Sequence, residues 1–535
     1  MDHKVDDDVV DRISELPDHV LHHILSFLPC KQVFQTTLMS KTWKHVITTF
    51  PILQFIQVFN DPDTWLPENK NKPDVIRKKG HFYTFVVKTL QNRRNQSLRI
   101  KTFNLFDNLL HEKSMSRVDC WINLVLESEV EELALSFGSS SIPYRLPHSV
   151  LVAKSLCVLT LHMCKLVSTC GEGDINLPSL KRFSLSNVYA DDQSIQNLIV
   201  GCPVIEYMGI EGCRGIRSIK FFSVPTVKEI IVGNNFDMER LELEASNLHS
   251  LYIIEWKLQC NLNLLPFKNL KNLSLGTPNV TEKWLEEHLS GLPLLENLHL
   301  LSCSKLERIN ISSHHHLKSL KLVLCANLVE LMIDNPKLCR LSYWGKTAIS
   351  FSLNALGLLE AEYTLWPRYG TWDAEKIEFL SKMRNSKVFK LKIFYDQDVI
   401  IPEELRVTLS SPLYNVKHLK LIICPPFTGY EISELLDSFL WISPLPELLV
   451  IESNRHKSDP DFDKLTFELS YEKPIYKGEN PSCCKFLPFP CWRHCLKTVK
   501  IDSLKGYGDE ELLYKYFSEN AKTLEDFQFH VGGIA

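Results

Sequence analysis

Apolar positions recur along this chain on two periods, and the change between them divides it. From Asp11 to Phe50 the period is helical: Val20, Leu21, Ile24, Leu25 and Leu28 form one stripe. Pro17 suits the start of that helix because its missing N–H would be unpaired there, and Asp18 places negative charge at the positive end of the dipole. Pro29 ends it. A short second helix is predicted around Lys31 to Met39, offering Val33, Phe34 and Leu38. Ser40 caps a third, with Trp43, Val46, Ile47 and Phe50 on one face. Three helices of about 40 residues are too small to bury this apolar surface alone, so part of it must face something else.

After a polar, proline-bearing stretch at Asn60–Gly80, read as a loop or hinge, two helical pieces are predicted at Phe82–Gln91 and Met115–Leu126. Val118, Ile122, Val125 and Leu126 make the buried stripe of the second. Then the period changes to L-x-x-L-x-L. It runs from Val130/Leu133/Leu135 through Leu180/Phe183/Leu185, Leu270/Leu273/Leu275 and Leu317/Leu320/Leu322 to Leu338/Leu341/Tyr343 and Leu358/Ala361/Tyr363. First positions lie 20 to 26 residues apart, the leucine-rich-repeat period of one short strand plus a return segment. One unit cannot bury its strand face, but stacked neighbours can, so the repeats share a continuous core. Asp191–Val200 and Glu282–Leu289 are predicted helical returns. Beyond Tyr363 the spacing loosens, with strands expected at Val388/Leu391/Ile393, Val416/Leu419/Leu421 and Leu445/Leu448/Val450 and a helix at Tyr430–Leu440. Residues 452–490 read as a long polar loop with a strand or two, followed by a strand at Cys495–Ile501, a helix at Asp509–Asn520 and a strand at Leu524–Phe529.

Two stretches carry resemblances. Leu16-Pro17, Ile24-Leu25, Leu28-Pro29 and Ser40-Lys41-Thr42-Trp43 reproduce, in order, the pattern of the F-box family. The resemblance implies docking onto a Skp-type adaptor and through it a cullin–RING ubiquitin ligase. Leu16, Pro17, Val20, Ile24, Leu25, Leu28 and Trp43 would supply or support the contact. The tail, with Cys495-Leu496-Lys497, Val499, Ile501, Gly506, Glu519-Asn520-Ala521 and Leu524, resembles the FBD domain that ends many plant F-box/leucine-rich-repeat proteins. The expected architecture is therefore α/β. It comprises an F-box at 11–50, a linker and helical lead-in at 51–128, and a solenoid with parallel strands on its concave face at 129–450, looser after 365. An FBD-type region at 451–535 completes it.

Composition narrows the function. The 535 residues are 44% hydrophobic with a net charge of −4 and no basic block, which argues against a nucleic-acid ligand. Residues 1–11 are acidic and polar, with no leader expected, and no apolar run is long enough to span a membrane. The 16 cysteines are scattered, as reduced thiols of the cytoplasm or nucleus would be.

No phosphate loop, nucleophile elbow or HExxH motif is present, and paired acids such as Glu286-Glu287 read as solvated helix faces, so neither catalysis nor a cofactor is expected. Cys483, Cys484, Cys491, His494 and Cys495 have zinc-ligand chemistry, but C-C-x6-C-x2-H-C lacks two C-x2-C pairs and Cys495 opens a predicted strand. An ordinary core without metal is the expectation there, and a solvated turn at His314-His315-His316. The repeats offer a surface instead: Tyr207, Glu211, Tyr252, His299, Lys321, Arg340, Trp344, Glu360 and Glu362 should point off the core. Tyr252, Arg340 and Trp344 are the candidate target-binding residues. Arg182, Lys321 and Arg340 are too dispersed for an inositol-phosphate floor. The expected role is the substrate-recognition subunit of a Skp–cullin–F-box ligase; the alternatives are an interaction scaffold or a small-molecule receptor.

Overall fold

The structure, a computed structural model, describes residues 13, 16–28, 32–33, 41–57, 73–138, 142–166, 175–222, 224–258, 262–312, 314, 316–365, 371–394, 399–424, 431–453, 463–472, 481–504 and 510–532. The expected second F-box helix, apart from Gln32 and Val33, lies outside these residues, as do Pro29, Ser40 and the Gly506–Gly508 turn. Two compact units result, one of residues 1–248 and 257–262, the other of 249–256 and 263–535.

In the first unit, helices Asp18–Ser26 and Lys41–Thr49 lead into a strand, Ile52–Gln57. That strand opens a parallel ladder in which each member pairs with the next along the chain: Thr102–Asp107, Glu132–Phe137, Val158–His162, Arg182–Ser186, Tyr207–Glu211 and Glu229–Gly233. The pairing keeps Phe55, Leu105, Leu135, Leu161, Leu185, Ile210 and Val232 in one buried row, so every strand closes its neighbour's apolar face. Each such side chain stabilises the fold by about 1.5–3 kcal/mol.

The ladder thus begins in a segment whose strands the sequence pattern did not reveal. Phe50/Leu53/Phe55 and Ile100/Phe103/Leu105 do fit L-x-x-L-x-L, and all six are buried. Aromatic substitution and a 23-residue helix, Pro73–Asn95, set them off the regular period. That helix also corrects the loop expected at Asn60–Gly80: from Pro73 onward the chain is helical. Pro73 leads the first turn with Asp74 behind it, and Gly80 is tolerated inside a helix held by buried Val75, Tyr83, Val86 and Leu90. Met115–Leu126 is helical as expected, but it buries Trp121 where Leu126 was expected, Leu126 being only half-buried.

The second unit continues the same construction. Parallel strands Ser250–Ile254, Asn272–Gly276, Asn297–Leu301, Ser319–Val323, Arg340–Trp344, Glu360–Leu365, Val388–Ile393, His418–Ile423 and Leu448–Ser453 pair in chain order. The direction then reverses. Asp463–Tyr471 runs antiparallel to Leu448–Ser453, Leu496–Leu504 antiparallel to that, and Asp526–Gly532 parallel to Leu496–Leu504. Helices Glu282–Ser290, Ile432–Ile442 and Glu510–Asn520 match expected returns, whereas Ala374–Ser381 and Glu403–Thr408 were not foreseen.

Two expected strands are out of register. Ala361 and Tyr363 pair with Phe389 and Leu391, which pair with Leu419 and Leu421, then Leu449 and Ile451. The apolar triples are therefore shifted by two residues at Val388/Leu391/Ile393 and by one at Leu445/Leu448/Val450. In Leu448-Leu449-Val450-Ile451 both faces are apolar, so a one-residue slip costs the pattern nothing on paper while exchanging the buried set for the outward one.

The turn after each strand has its own rule. Two residues past the last apolar position, Met163, Asn187, Gly212, Asn234, Ser302 and Leu324 all take a left-handed φ of 52° to 65°. One residue later, Cys164, Cys213, Asn235, Cys303 and Cys325 turn inward and are buried. Asn235 accepts from Cys213 N–H and donates to Ile210 O, while the thiols donate to strand-end carbonyls such as Glu211 O and Leu301 O. These cysteines pack into the core and add a thiol hydrogen bond to the strand-end carbonyls, which is a structural role.

Candidate functional site

Pro17 stands as the N-cap of the first helix with φ −58° and ψ 145°, its carbonyl accepting from the N–H of Val20 and Leu21. Below this helix Leu21, Leu25, Val33, Trp43, Val46 and Phe50 form one buried cluster, with Ile24, Leu28, Ile47 and Ile52 packed at its edge. The seven expected adaptor residues therefore separate by role. Leu25 and Trp43 are buried and hold the helices together; Val20, Ile24 and Leu28 are half-buried; Leu16 (38% exposed) and Pro17 face outward. Ile13 (54% exposed) and Phe27 (74% exposed) join the outward apolar set and were missed by the sequence reading. Their signal was available: both lie off the Val20–Leu28 stripe, so the core had no place for them.

The cluster is joined to the ladder by a buried cation. Arg93, on the Pro73–Asn95 helix, donates to Phe50 O (2.5 Å), Ile47 O (3.4 Å) and Arg99 O (3.4 Å). The first two are carbonyls at the C-terminal end of the Lys41–Thr49 helix, where a positive charge complements the dipole. Burial alone lowers the Arg93 pKa to about 10, so the group stays charged near neutrality. His22 serves the same end, with Nε2 3.0 Å from Val46 O and 3.2 Å from Thr49 Oγ1. A cleft of about 220 Å³ lies alongside, lined by Leu28, Ile47, Phe50, Phe55 and Arg93 among others.

On the outward sheet face of the second unit, Arg340, Ser342 and Trp344 share one side of their strand while Leu341 and Tyr343 are buried. Trp344 is half-buried, its ring stacked on Phe394 at 5.6 Å, and Arg340 is exposed. Tyr252 sits on the same row as Ser274, His299, Lys321, Ser342 and Glu362, four strands away from Ser342. The structure thus puts Arg340 and Trp344 at the two ends of one strand face and leaves Tyr252 four strands away. Three cross-strand ion pairs follow on this face: Lys390–Glu360 at 2.5 Å, Lys392–Glu362 at 2.9 Å and Lys420–Glu452 at 2.8 Å. His299 Nδ1 lies 3.1 Å from Ser274 Oγ; burial, and then the charge of Lys321, lower its pKa to about 4. In the first unit Arg182 lies over the Tyr207 ring at 3.9 Å and is committed there.

Cys483, Cys484, Cys491 and His494 converge, contrary to what their spacing suggested. Two short 3₁₀ turns, Ser482–Cys484 and Trp492–His494, bring the four ligand atoms within 4.8 Å of one another. Spacing rules for zinc describe two C-x2-C knuckles, and these turns reach the same convergence without them. Cys495 stays out of the group, its thiol donating to Cys491 O at 3.3 Å. Of the histidine run, His314 accepts from Asn335 Nδ2 through its carbonyl (2.9 Å); His315 lies outside the described residues.

Known families match along most of this length. The F-box domain family matches residues 13–55, the LRR repeats of the FBD-associated F-box protein At5g56370 match 118–255, and the At1g61320/AtMIF1 LRR domain matches 257–464. Among curated proteins of Arabidopsis thaliana, the putative F-box/LRR-repeat protein At3g18150 is 26% identical over 55% of this chain and 59% of its own length. The putative F-box/LRR-repeat protein At5g02930 is 29% identical over 44% of this chain and 42% of its own. For the F-box/FBD/LRR-repeat protein At3g52680 the figures are 29%, 61% and 70%. The chain therefore spans about two fifths to three fifths of the first two relatives. With an F-box domain ahead of leucine-rich-repeat domains, the chain is similar in build to the F-box/LRR-repeat proteins of Arabidopsis thaliana, an F-box/FBD/LRR-repeat protein among them.

Proposed function

We propose that this protein is the substrate-recognition subunit of a Skp–cullin–F-box ubiquitin ligase, active in the cytoplasm or nucleus. The observation that carries the proposal is the division of the F-box: a closed cluster around Leu25 and Trp43 beneath an outward apolar set of Leu16, Pro17, Ile13 and Phe27. Apolar side chains kept in water on so small a unit are explained by a partner that covers them. The repeats and C-terminal strands hold the target, with the Arg340–Trp344 strand as the centre of that surface. Rigid strands lose little entropy on binding, and arginine and tryptophan concentrate interface energy. No catalytic residue is required on this chain. Holding a target lysine beside the charged ubiquitin carrier raises its effective concentration and makes transfer quasi-intramolecular.

The test is a pull-down from plant extract with wild-type protein and with Arg340→Ala/Trp344→Ala, read by ubiquitin-remnant mass spectrometry. Proteins that lose both recovery and ubiquitin marks with the variant, while the Skp-type adaptor is still recovered, are the expected targets. Undiminished recovery by a variant that unfolds at the wild-type temperature would move the target site off this strand.

A further inference from the structure

Among the described cysteines, those at the ladder turns and those of the 481–495 stretch make different bonds. Cys164, Cys213, Cys303 and Cys325 each donate to a backbone carbonyl of the strand just before them. Cys483 Sγ instead meets Cys484 Sγ at 3.7 Å, Cys491 Sγ at 3.9 Å and His494 Nε2 at 3.0 Å. Ligands arranged tetrahedrally about zinc, with Zn–S near 2.3 Å, stand roughly 3.8 Å from one another. We propose that Cys483, Cys484, Cys491 and His494 form a structural zinc site.

The donor set of three soft thiolates and one imidazole is one that zinc favours in a closed tetrahedral site. Outer partners are in place. Cys491 N–H donates to Cys484 Sγ at 3.2 Å, the kind of bond that disperses thiolate charge. Three thiolates and Zn²⁺ carry a net charge of −1, and the positive charges of Arg493 and Lys522 both reach His494. Cys483 is exposed while Cys484 and Cys491 are buried, so the site opens to solvent on one side and is walled on the other.

Zinc would close the 481–495 stretch ahead of the Leu496–Leu504 strand, for which these residues have little regular structure of their own. Between the ligands stand Trp492 and Arg493. Trp492 stacks on Tyr516 at 5.8 Å, and Arg493 donates to Asp437 Oδ1 at 2.8 Å and to Asn520 Oδ1. Fixing this stretch fixes the contacts that hold helices Ile432–Ile442 and Glu510–Asn520, which makes metal binding part of the folding energy of the C-terminal strands.

The test uses the full chain, co-expressed with its adaptor in zinc-supplemented medium and purified under reducing conditions without chelator. Elemental analysis should give one zinc per chain. Cobalt replacing it should give the ligand-field bands of a tetrahedral site and a thiolate charge-transfer band. Cys483→Ser, at an exposed position, should lose most of the zinc while remaining soluble, and Cys495→Ser should keep it. A chelator should lower the unfolding temperature of wild type and leave Cys483→Ser unmoved. Metal-free wild type, a different metal in place of zinc, full zinc in Cys483→Ser, or a Cys483–Cys491 disulfide in the reduced preparation would each overturn the proposal.

Discussion

The F-box helices and the repeat strands are built from the same aliphatic residues and dispose of them differently. In the ladder, Leu273 lies between Leu251 and Leu298 on paired strands, and all three are buried. Each strand supplies the surface its neighbour lacks, so the apolar rows are completed within the chain. The Asp18–Ser26 helix buries Leu21 and Leu25 on one side, yet Leu16 before it and Phe27 after it remain in water. A ladder grows by adding members, whereas so small a helical cluster has no further member to add. What the ladder completes by repetition, the F-box leaves in water.

This contrast is broken most severely within the ladder. Leu273→Ala should cost about 2–5 kcal/mol, because flanking strands prevent the cavity from collapsing. Thermal unfolding measures it, and an unchanged midpoint would mean that the row through Leu273 is not core. Next comes the joint between the two regions. Arg93→Ala leaves the Phe50 and Ile47 carbonyls without their cationic donor and should cost about 1–3 kcal/mol. Hydrogen exchange should show the loss concentrated in Lys41–Thr49 and Ile52–Gln57; uniform loosening of the ladder would contradict the clamp.

How far the sequence disclosed all this depended on how the apolar rows repeat. Between Val130 and Tyr363 a period of 20 to 26 residues and single-faced strands left one register available, and the buried rows are those expected. At Leu448–Ile451 apolar residues occupy both faces, so the pattern could not choose between them. Phe50/Leu53/Phe55 was hidden because the Pro73–Asn95 helix stretches its repeat far beyond the period. In the F-box the motif named the helices but not which side chains face out: Leu25 and Trp43 belong to it and are buried, whereas Ile13 and Phe27 do not and are exposed. The convergence of Cys483, Cys484, Cys491 and His494 was illegible because 3₁₀ turns, with no spacing signature, create it.

Smaller effects sharpen the picture of the ladder. His299 has its pKa lowered to about 4 from 6.5, so between those values the unfolded chain binds more protons than the folded one. Stability should therefore fall as pH drops from 6.5 to 4, by about 1 kcal/mol once solvent screening is allowed for. His299→Gln should flatten that part of the pH–stability curve, and an unaltered slope would place its origin elsewhere. Leu324 holds φ +54° at a position where Gly212 stands in an equivalent turn. Leu324→Gly should relieve that conformation and raise stability by about 0.5–1 kcal/mol, seen as a higher denaturant midpoint; a lower midpoint would show that the side chain contributes more than the turn costs.

The smallest stability effect is expected at the residues proposed to meet the adaptor. Leu16→Ala with Pro17→Ala removes outward side chains and should change the unfolding free energy by no more than about 0.5 kcal/mol. The decisive measurement is the affinity of this double variant for a purified Skp-type adaptor, taken beside its unfolding midpoint. The expected result is at least a tenfold weaker complex at an unchanged midpoint. Wild-type affinity in the folded double variant would contradict the assignment of this face to the adaptor, and with it the role proposed for the protein.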